Sequence, residues 1–499
     1  MSGTGHSLCV SLLPRSKKEL EDFSRSCPEA DVIEIRIDFI PDIKFQKLRE
    51  LFSQPLVVTL RTTAQGGYWE GSETEYTKII KKALSAQIDY VDVEWQHYQQ
   101  VIPTLNKKHS SKIILSNHTP EHRLDVLKDL LLQMKEIPAD VYKLVFPVES
   151  FWDNLTALKL AEFARSLEVP FIIHGNGEAG TLSRILGAIS GNVWTYVSAQ
   201  INKETAPGQL PLHEARHYYH LHQKSTSTRL IGLVGNPIQQ SKGWRLHNAL
   251  IHQYVSPQNS SDFLYVNFPV EDLKRFWVEW NEHLFGLSVT IPYKEEIVPY
   301  LTECSTEVLI SGVCNTVVRT KNGWKGFNTD LLALESLLKP HREILKDGAL
   351  VVGTGATARS AIAALKRLEV SPIFVVGRNS ERGRLLSEKF NVEFLEEDEV
   401  HYAGAAAVIQ TTPVGMYPNV DQYPVGSSHF RRGRLVLDVI YNPPETRFLK
   451  IARDRGCITI SGEEMFLLQA AKQFELFTGV VLTMEQIREV WNHLSEVIR

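Results

Sequence analysis

A chain of 499 residues exceeds what one ordinary hydrophobic core organises, so two or three domains are expected. Hydrophobic content of 43% and charged content of 22% describe a water-soluble globular protein, and a net charge of −4 leaves no electrostatic footprint for nucleic acid or an anionic membrane. Five scattered cysteines, with no CxxC pair and no Cys/His metal spacing, indicate reduced thiols; no apolar run reaches transmembrane length and the N-terminal residues lack signal- or transit-peptide character, so a cytoplasmic protein is expected.

From the N-terminus, apolar β-branched runs recur at 7–13, 32–38, 55–62, 90–95, 112–118, 141–146, 169–175 and 193–199, with helix-like stretches between most of them. Eight strands alternating with helices predict a (β/α)8 barrel; an open doubly wound sheet shares the local pattern, and strand count favours the barrel. Polar residues gather where these strands end: Glu34, Arg36 and Asp38 on the second, Arg61 on the third, Asp92 and Glu94 on the fourth, His118 on the fifth, and Ser183-Arg184 after the seventh. Barrel active sites collect at those C-terminal ends. Taken singly, each residue also fits a strand-end ion pair. Lys143 differs, because in VYKLVF it interrupts an otherwise apolar strand. Desolvation there lowers an amine's pKa and frees a neutral nucleophile able to form a Schiff base with a ketone. His118 could then move an α proton to a leaving hydroxyl, and Arg184 offers a fork for a carboxylate.

In the order EIRID, LRT, SNH, YKL, EAGTLSR and TAPGQ, these motifs resemble the type I 3-dehydroquinate dehydratases over nearly all of residues 1–222. The resemblance implies that Lys143 forms the imine and His118 is the general acid/base. It also implies that Arg184 and Gln209 hold the carboxylate, while Glu34, Arg36 and Arg61 serve the ring hydroxyls and local charge. Thr205 stands where serine is common. Gln65 stands where the family carries a glutamate that orients the histidine; its oxygen can accept an imidazole N–H but adds no charge, so a lowered His118 pKa is expected unless Asp92 or Glu94 compensates.

A polar, His- and Ser/Thr-rich passage follows. Leu212–Thr228 reads as the connector, with HEARHYYHLHQ within it read as a barrel-closing helix. Beyond it, GNPIQQSKGWRLHN (235–248), GLSVTIPYKEEI (286–297), SGVCNTVV (311–318) and GFNTD (326–330) place Lys294 and Asp330 in Asn/Thr-rich turns. A lysine held by a carboxylate can protonate the alkoxide that develops when a ketone is reduced. Next, GALVVGTGATARSAIAALKRL (348–368) runs an apolar strand into Gly353, Gly355, Ala356, Thr357 and Ala358 and then a helix, the dinucleotide-binding turn in its strand–turn–helix context. The second strand, PIFVVGR, ends in Arg378, Asn379 and Ser380, with Arg382 one turn on, where an NAD site would carry an acid; this suits the ribose 2′-phosphate and predicts NADP(H). IQTTPVGMYP (409–418) supplies Thr411 and Met416 in a loop suited to lie over a nicotinamide.

These pieces resemble shikimate dehydrogenase across the right half. The expected domains are 228–336 for substrate, completed by about 466–499, and 337–465 as a Rossmann NADP domain, so the whole chain is α/β. The resemblance implies Lys294 and Asp330 as the catalytic pair, with Ser241, Thr290, Asn315, Tyr441 and Gln469 around the substrate. Gly243-Trp244 replaces the usual Ser-Pro after Ser241-Lys242, Ser288 replaces an asparagine before Val-Thr, and Gln410 replaces another before the Thr-rich loop. Together the halves imply a two-step enzyme of the shikimate pathway that acts on small molecules, dehydrating 3-dehydroquinate and reducing the product to shikimate with NADPH. Two competitors are a catabolic NAD-dependent quinate/shikimate dehydrogenase and a non-catalytic metabolite sensor. Arg378 and Arg382 argue against the first, and retention of the reactive residues against the second.

Overall fold

The computed structural model describes the chain except residues 1–4, 26, 87, 102–110, 256–261, 401–402, 427–428 and 499, and the side chains of 496–498. It forms two compact units, Met1–Arg229 with Ser256–Leu264, and Leu230–Val255 with Tyr265–Arg499.

In the first unit eight parallel strands are ordered β7-β6-β5-β4-β3-β2-β1-β8: β1 (Ser7–Leu12), β2 (Val32–Arg36), β3 (Leu56–Thr59), β4 (Tyr90–Glu94), β5 (Lys112–His118), β6 (Val141–Pro147), β7 (Phe171–Asn176) and β8 (Trp194–Val197). The predicted runs fall on these strands. The barrel is nearly closed, with the Val193 N–H donating to the Phe171 carbonyl at 2.9 Å and the Asn192 side chain exchanging two hydrogen bonds with the Ile173 backbone at 2.9 and 3.0 Å. Its floor is an apolar plug of Cys9, Val32, Val57, Tyr90, Ile114, Val141, Ile172, Trp194 and Tyr196. That plug keeps water from the lower barrel and sets the dielectric in which the polar strand ends sit.

Local chemistry fixes the strand–helix joints. Ser72 and Glu75 form a reciprocal capping box that starts helix Glu73–Ser85, and Gly191, at φ +97°, ends helix Thr181–Ser190 in the left-handed conformation that glycine adopts without strain. HEARHYYHLHQ departs from expectation. It is not an α-helix but one π-helical turn, Glu214–Tyr218, and a 3-10 turn, Leu221–Gln223, separated by His220 at φ +51°. The positive φ breaks the helical path that the sequence pattern would otherwise continue.

The second unit holds two six-stranded sheets. One, ordered β10-β9-β11-β13-β14-β12, is mixed: β9 (Arg229–Gly235), β10 (Phe263–Pro269), β11 (Gly286–Val289), β12 (Glu303–Cys304), β13 (Thr316–Thr320) and β14 (Gly323–Phe327). The other is fully parallel and ordered β17-β16-β15-β18-β19-β20: β15 (Ala349–Val352), β16 (Ile373–Val376), β17 (Glu393–Leu395), β18 (Ala407–Gln410), β19 (Leu435–Asp438) and β20 (Ile458–Ile460). Counted along the chain this order is 3-2-1-4-5-6, the doubly wound arrangement whose direction reverses between β15 and β18 and opens a crevice there. Helix Gly462–Thr478 leaves this sheet and reaches β13 and helix Gly243–Tyr254, so the chain returns to the first sheet. Among the described residues no helix is long and apolar enough to cross a membrane.

Candidate active sites

In the barrel, side chains two apart on a strand share a face, so register rows define interior layers. One row is Glu94↔Ser116↔Lys143↔Ile172, and the next is His118↔Val145↔His174. Lys143 therefore rises directly above the apolar plug. It is 5% exposed, and its Nζ lies 3.5 Å from Asp92 Oδ2, 3.8 Å from Glu34 Oε1 and 4.3 Å above the Tyr196 ring centroid. Burial lowers its pKa below the usual lysine value, against the pull of Glu34 and Asp92. The desolvation expected of Lys143 thus has its physical cause in the structure.

Arg61 lies two residues beyond the end of β3 and is spent on its neighbours. It donates to Asp92 at 2.8 Å, Ser116 at 2.9 Å and Glu94 at 3.3 Å. Burial, which lowers its pKa, is outweighed by Asp92 and Glu94, so it stays charged. Arg36 forks onto Asp38. Glu34 accepts from Ser11 and from Thr59 at 2.8 Å; Ser11 in turn accepts from Thr205 at 2.8 Å, and Thr205 donates its N–H to Gln209 at 2.9 Å. Thr205 and Gln209, which follow β8, therefore join the hydrogen-bond network of Glu34.

Arg184 is the exception among these ions. It is 2% exposed, has no acidic partner among the described residues, and gives only one N–H, to the Pro207 carbonyl at 3.3 Å. Its Nε is buried without a partner, and burial pulls its pKa down to about 10. The Nε2 atoms of His118 and His174 and the Tyr196 hydroxyl are also buried and unpartnered. Each such group costs about 1–3 kcal/mol of lost hydration. Four of them in the barrel interior that holds one desolvated lysine make a lining suited to a polar anionic ligand.

Of two expectations about His118, the Gln65 contact needs correction and the lowered pKa is met. The Gln65 side-chain oxygen accepts from the His118 backbone N–H at 2.6 Å and does not meet the ring. Neither does Asp92 or Glu94 compensate, since both carboxylates are engaged by Arg61. His118 is held well below the ordinary histidine pKa, by burial first and then by the charges of Arg61 and Lys143. Introducing the carboxylate with Gln65→Glu is expected to raise this pKa. A base works in its neutral form, so the acid limb of the dehydratase pH profile should move to higher pH; a profile of kcat/KM that does not move would show that position 65 does not reach the imidazole.

In the second unit, Lys294 Nζ donates to Asp330 Oδ2 at 2.7 Å, with the two side chains 12% and 6% exposed. Asp330 Oδ1 accepts from the Asn315 amide at 2.9 Å, whose second N–H goes to Thr329 at 2.9 Å. Asn315, expected to touch substrate, has both donors committed and holds Asp330 in place. The Tyr441 phenol lies near the Ser241 side chain and the Lys242 backbone, and its ring stacks on Phe466 at 4.5 Å. It brings a hydroxyl to the loop where Gly243 has none. Trp244 lies instead beside Arg245, whose guanidinium is 5.1 Å from its ring. Thr290 follows β11, with its N–H on the Val234 carbonyl. Gln469 donates to the Phe466 carbonyl of its own helix at 3.0 Å. One turn later Gln473, which the sequence reading missed, is 4% exposed and ties Ser288, Asn315 and Thr316 together at 2.9–3.1 Å. A second glutamine four residues on, along the same helix face, was the available signal.

At the crevice of the parallel sheet, Gly353 has φ +124°, and a Cβ there would lie 2.4 Å from Thr411 Oγ1. Gly355 caps helix Ala356–Arg367 without a side-chain bond and has open space where a Cβ would stand, while Ala358 is fully buried against the sheet. Uncapped N–H groups, room at the backbone and a helix N-terminus fit a pyrophosphate. Gln410 organises the following loop by bonding Thr412 and Val414, Thr411 is anchored on the Val352 carbonyl at 2.7 Å, and Met416 is 45% exposed. Asn379 caps helix Ser380–Phe390, and Ser380 donates to Glu396 at 2.8 Å. Arg378 is exposed and makes no ion pair among the described residues, whereas Arg382 is held by Glu295 at 2.9 Å, together with Arg359 at 3.1 Å.

Residues 8–226 match the type I 3-dehydroquinase family, and residues 233–317 match the shikimate dehydrogenase substrate binding domain. The chain is 29% identical over 487 residues to the chloroplastic bifunctional 3-dehydroquinate dehydratase/shikimate dehydrogenase of Arabidopsis thaliana, covering 90% of this chain and 78% of that one. Among solved structures, a shikimate dehydrogenase in complex with NADP+ is 31% identical over 53% of this chain and 95% of its own, with a TM-score of 0.47. The dehydroquinate dehydratase and shikimate dehydrogenase from S. pombe is 23% identical, covers 98% of both chains and has a TM-score of 0.40.

Proposed function

We propose that the chain is a bifunctional 3-dehydroquinate dehydratase/shikimate dehydrogenase, a reading supported by its matches to both families, in which the barrel dehydrates 3-dehydroquinate through an imine on Lys143 and the second unit reduces the product with NADPH. The observation that carries the first step is a buried Arg184 guanidinium with no acidic partner among the described residues, in the same interior as a desolvated lysine, both of whose charges act on His174. A substrate carboxylate on Arg184 restores the charge balance and points the ring at Lys143. The neutral amine attacks the ketone carbon, and loss of water leaves the imine. The imine acidifies the neighbouring C–H, whose proton His118 takes and returns to the departing hydroxyl. Water then hydrolyses the imine and frees Lys143.

For the reduction, Lys294 and Asp330 act as one unit. The carboxylate holds the ammonium, and the ammonium donates a proton to the oxygen that becomes a hydroxyl. Ser241 and Tyr441 offer hydroxyls to the substrate carboxylate, and Thr290 offers a third to the ring. Gly353, Gly355 and the N-terminus of helix Ala356–Arg367 would hold the dinucleotide, which supplies the hydride when bound. Arg378, which makes no ion pair among the described residues, can meet a 2′-phosphate directly, whereas Arg382 must first leave Glu295. Arg378→Ala is therefore expected to raise KM for NADPH about 10- to 100-fold, the worth of one charged hydrogen bond, and to leave KM for NADH nearly unchanged. A parallel rise for both cofactors would favour the NAD-dependent reading. Among the described residues the cysteines form no disulfide, which supports a reducing compartment such as the cytosol.

The direct test is to incubate the chain with dehydroquinate and NADPH and follow enone absorbance and NADPH loss together. Enone should form and then decline as NADPH is oxidised; NADPH oxidation without prior dehydration would overturn the sequence of steps.

A further inference from the structure

His174 belongs to no part of the mechanism above, yet it shares the barrel site. It occupies the row His118↔Val145↔His174, so the two imidazoles stand on either side of the Lys143 strand, in the layer above the Lys143 row. His174 is 5% exposed, and its ring meets Tyr196 edge-on at 6.3 Å. Its Nδ1 lies 3.1 Å from the Gly175 carbonyl oxygen, and the Gly175 N–H is itself fixed on Ser183 at 2.8 Å. A carbonyl only accepts, so Nδ1 carries the proton and Nε2 carries the lone pair. That Nε2 is buried with no partner. Burial, followed by the charges of Arg184 and Lys143, holds the ring well below the ordinary histidine pKa, so the lone pair persists at neutral pH.

We propose that His174 Nε2 accepts a hydrogen bond from a ring hydroxyl of the cyclic keto acid bound over Lys143, and so selects the hydroxylation pattern of the dehydratase substrate. A lone pair cannot bind the substrate's carboxylate or ketone, which have nothing to donate. Hydroxyls are the donors such a molecule offers. Arg184 and Lys143, the two cations that His174 feels, account for the other polar ends. This inference rests on the reading of those two residues given above. His174 is then a specificity-determining residue, and the histidine in VPFIIHG plays for a hydroxyl the part that the lysine in VYKLVF plays for the ketone.

The test compares dehydroquinate with analogues each lacking one ring hydroxyl, measuring borohydride trapping at Lys143 as a function of ligand concentration. The wild-type chain should prefer the full substrate over one analogue by about 10-fold, the loss of one net hydrogen bond. In His174→Leu that preference should vanish for the same analogue and persist for the others. His174→Gln, which keeps an acceptor, should retain part of it. An unchanged preference for every analogue in His174→Leu, with trapping intact, overturns the assignment of His174 and leaves the Lys143 reading standing. If the leucine variant does not trap at all, the same comparison in His174→Gln decides: preferences identical to wild type for all analogues support an acceptor at 174, and loss of preference for all of them together overturns the hydroxyl-specific role. Absence of trapping in the wild type would instead strike the imine mechanism itself.

Discussion

Lys143→Ala is expected to lower dehydration of 3-dehydroquinate by more than about 10⁴-fold, the scale on which loss of a covalent nucleophile acts. The reason is geometric as well as chemical. Lys143 stands in the interior row Glu94↔Ser116↔Lys143↔Ile172, and among the described residues it is the buried lysine of the barrel strands. Borohydride with dehydroquinate should add mass to the Lys143 peptide of the wild-type chain and none to the variant. Reduction of 3-dehydroshikimate by the same variant should continue, since Lys294 and Asp330 are in the other unit. An undiminished adduct in Lys143→Ala would remove Lys143 from the mechanism. The substitution also leaves Asp92 and Glu34 without their amine. Arg61 still neutralises Asp92, so the barrel should fold, and circular dichroism of the variant checks that directly.

Asp330→Asn should reduce NADPH oxidation by about 10²- to 10⁴-fold, the range assigned to positioned acid–base groups, while dehydration proceeds at the wild-type rate. The amide keeps the shape of the carboxylate but removes the charge that orients the Lys294 ammonium at 2.7 Å. It also puts an N–H₂ or a carbonyl against the Asn315 amide, so one of the two contacts becomes unfavourable. The loss should appear in kcat more than in KM, because Ser241, Thr290 and Tyr441 remain. The dehydratase serves as an internal control for folding and concentration in the same chain. Simultaneous loss of both activities would mean that the halves do not work independently.

Much of this protein was legible in the order of its residues. Continuous apolar, β-branched runs separated by helical stretches gave eight strands in the barrel, because parallel strands buried on both faces impose that pattern on the sequence itself. The Gly353–Ala358 turn was equally plain: its glycines answer a local backbone demand that no distant residue alters. Lys143 stood out because an ionisable group in an apolar strand is rarely there without use.

What the sequence could not decide was how polar side chains divide their hydrogen bonds, since that depends on neighbours brought from far along the chain. Arg61 and Arg184 look alike as strand-end or post-strand arginines. Folding places three acceptors around the first and leaves the second without an anion, so only Arg184 is free to hold one. Asn315 and Gln473 show the same effect, with donors turned inward onto Asp330, Ser288 and Thr316. His174 is the sharpest case. Its strand was read correctly, but the unpaired Nε2 that gives it a role exists only once the Gly175 carbonyl has fixed its tautomer and Lys143, Arg184 and Tyr196 have closed around it. Local sequence determined which elements form and which backbone turns they need, because those choices are settled within a few residues. Tertiary packing determined which charges are spent and which are left for a substrate, because electrostatic pairing in a low-dielectric interior is decided by contacts between strands.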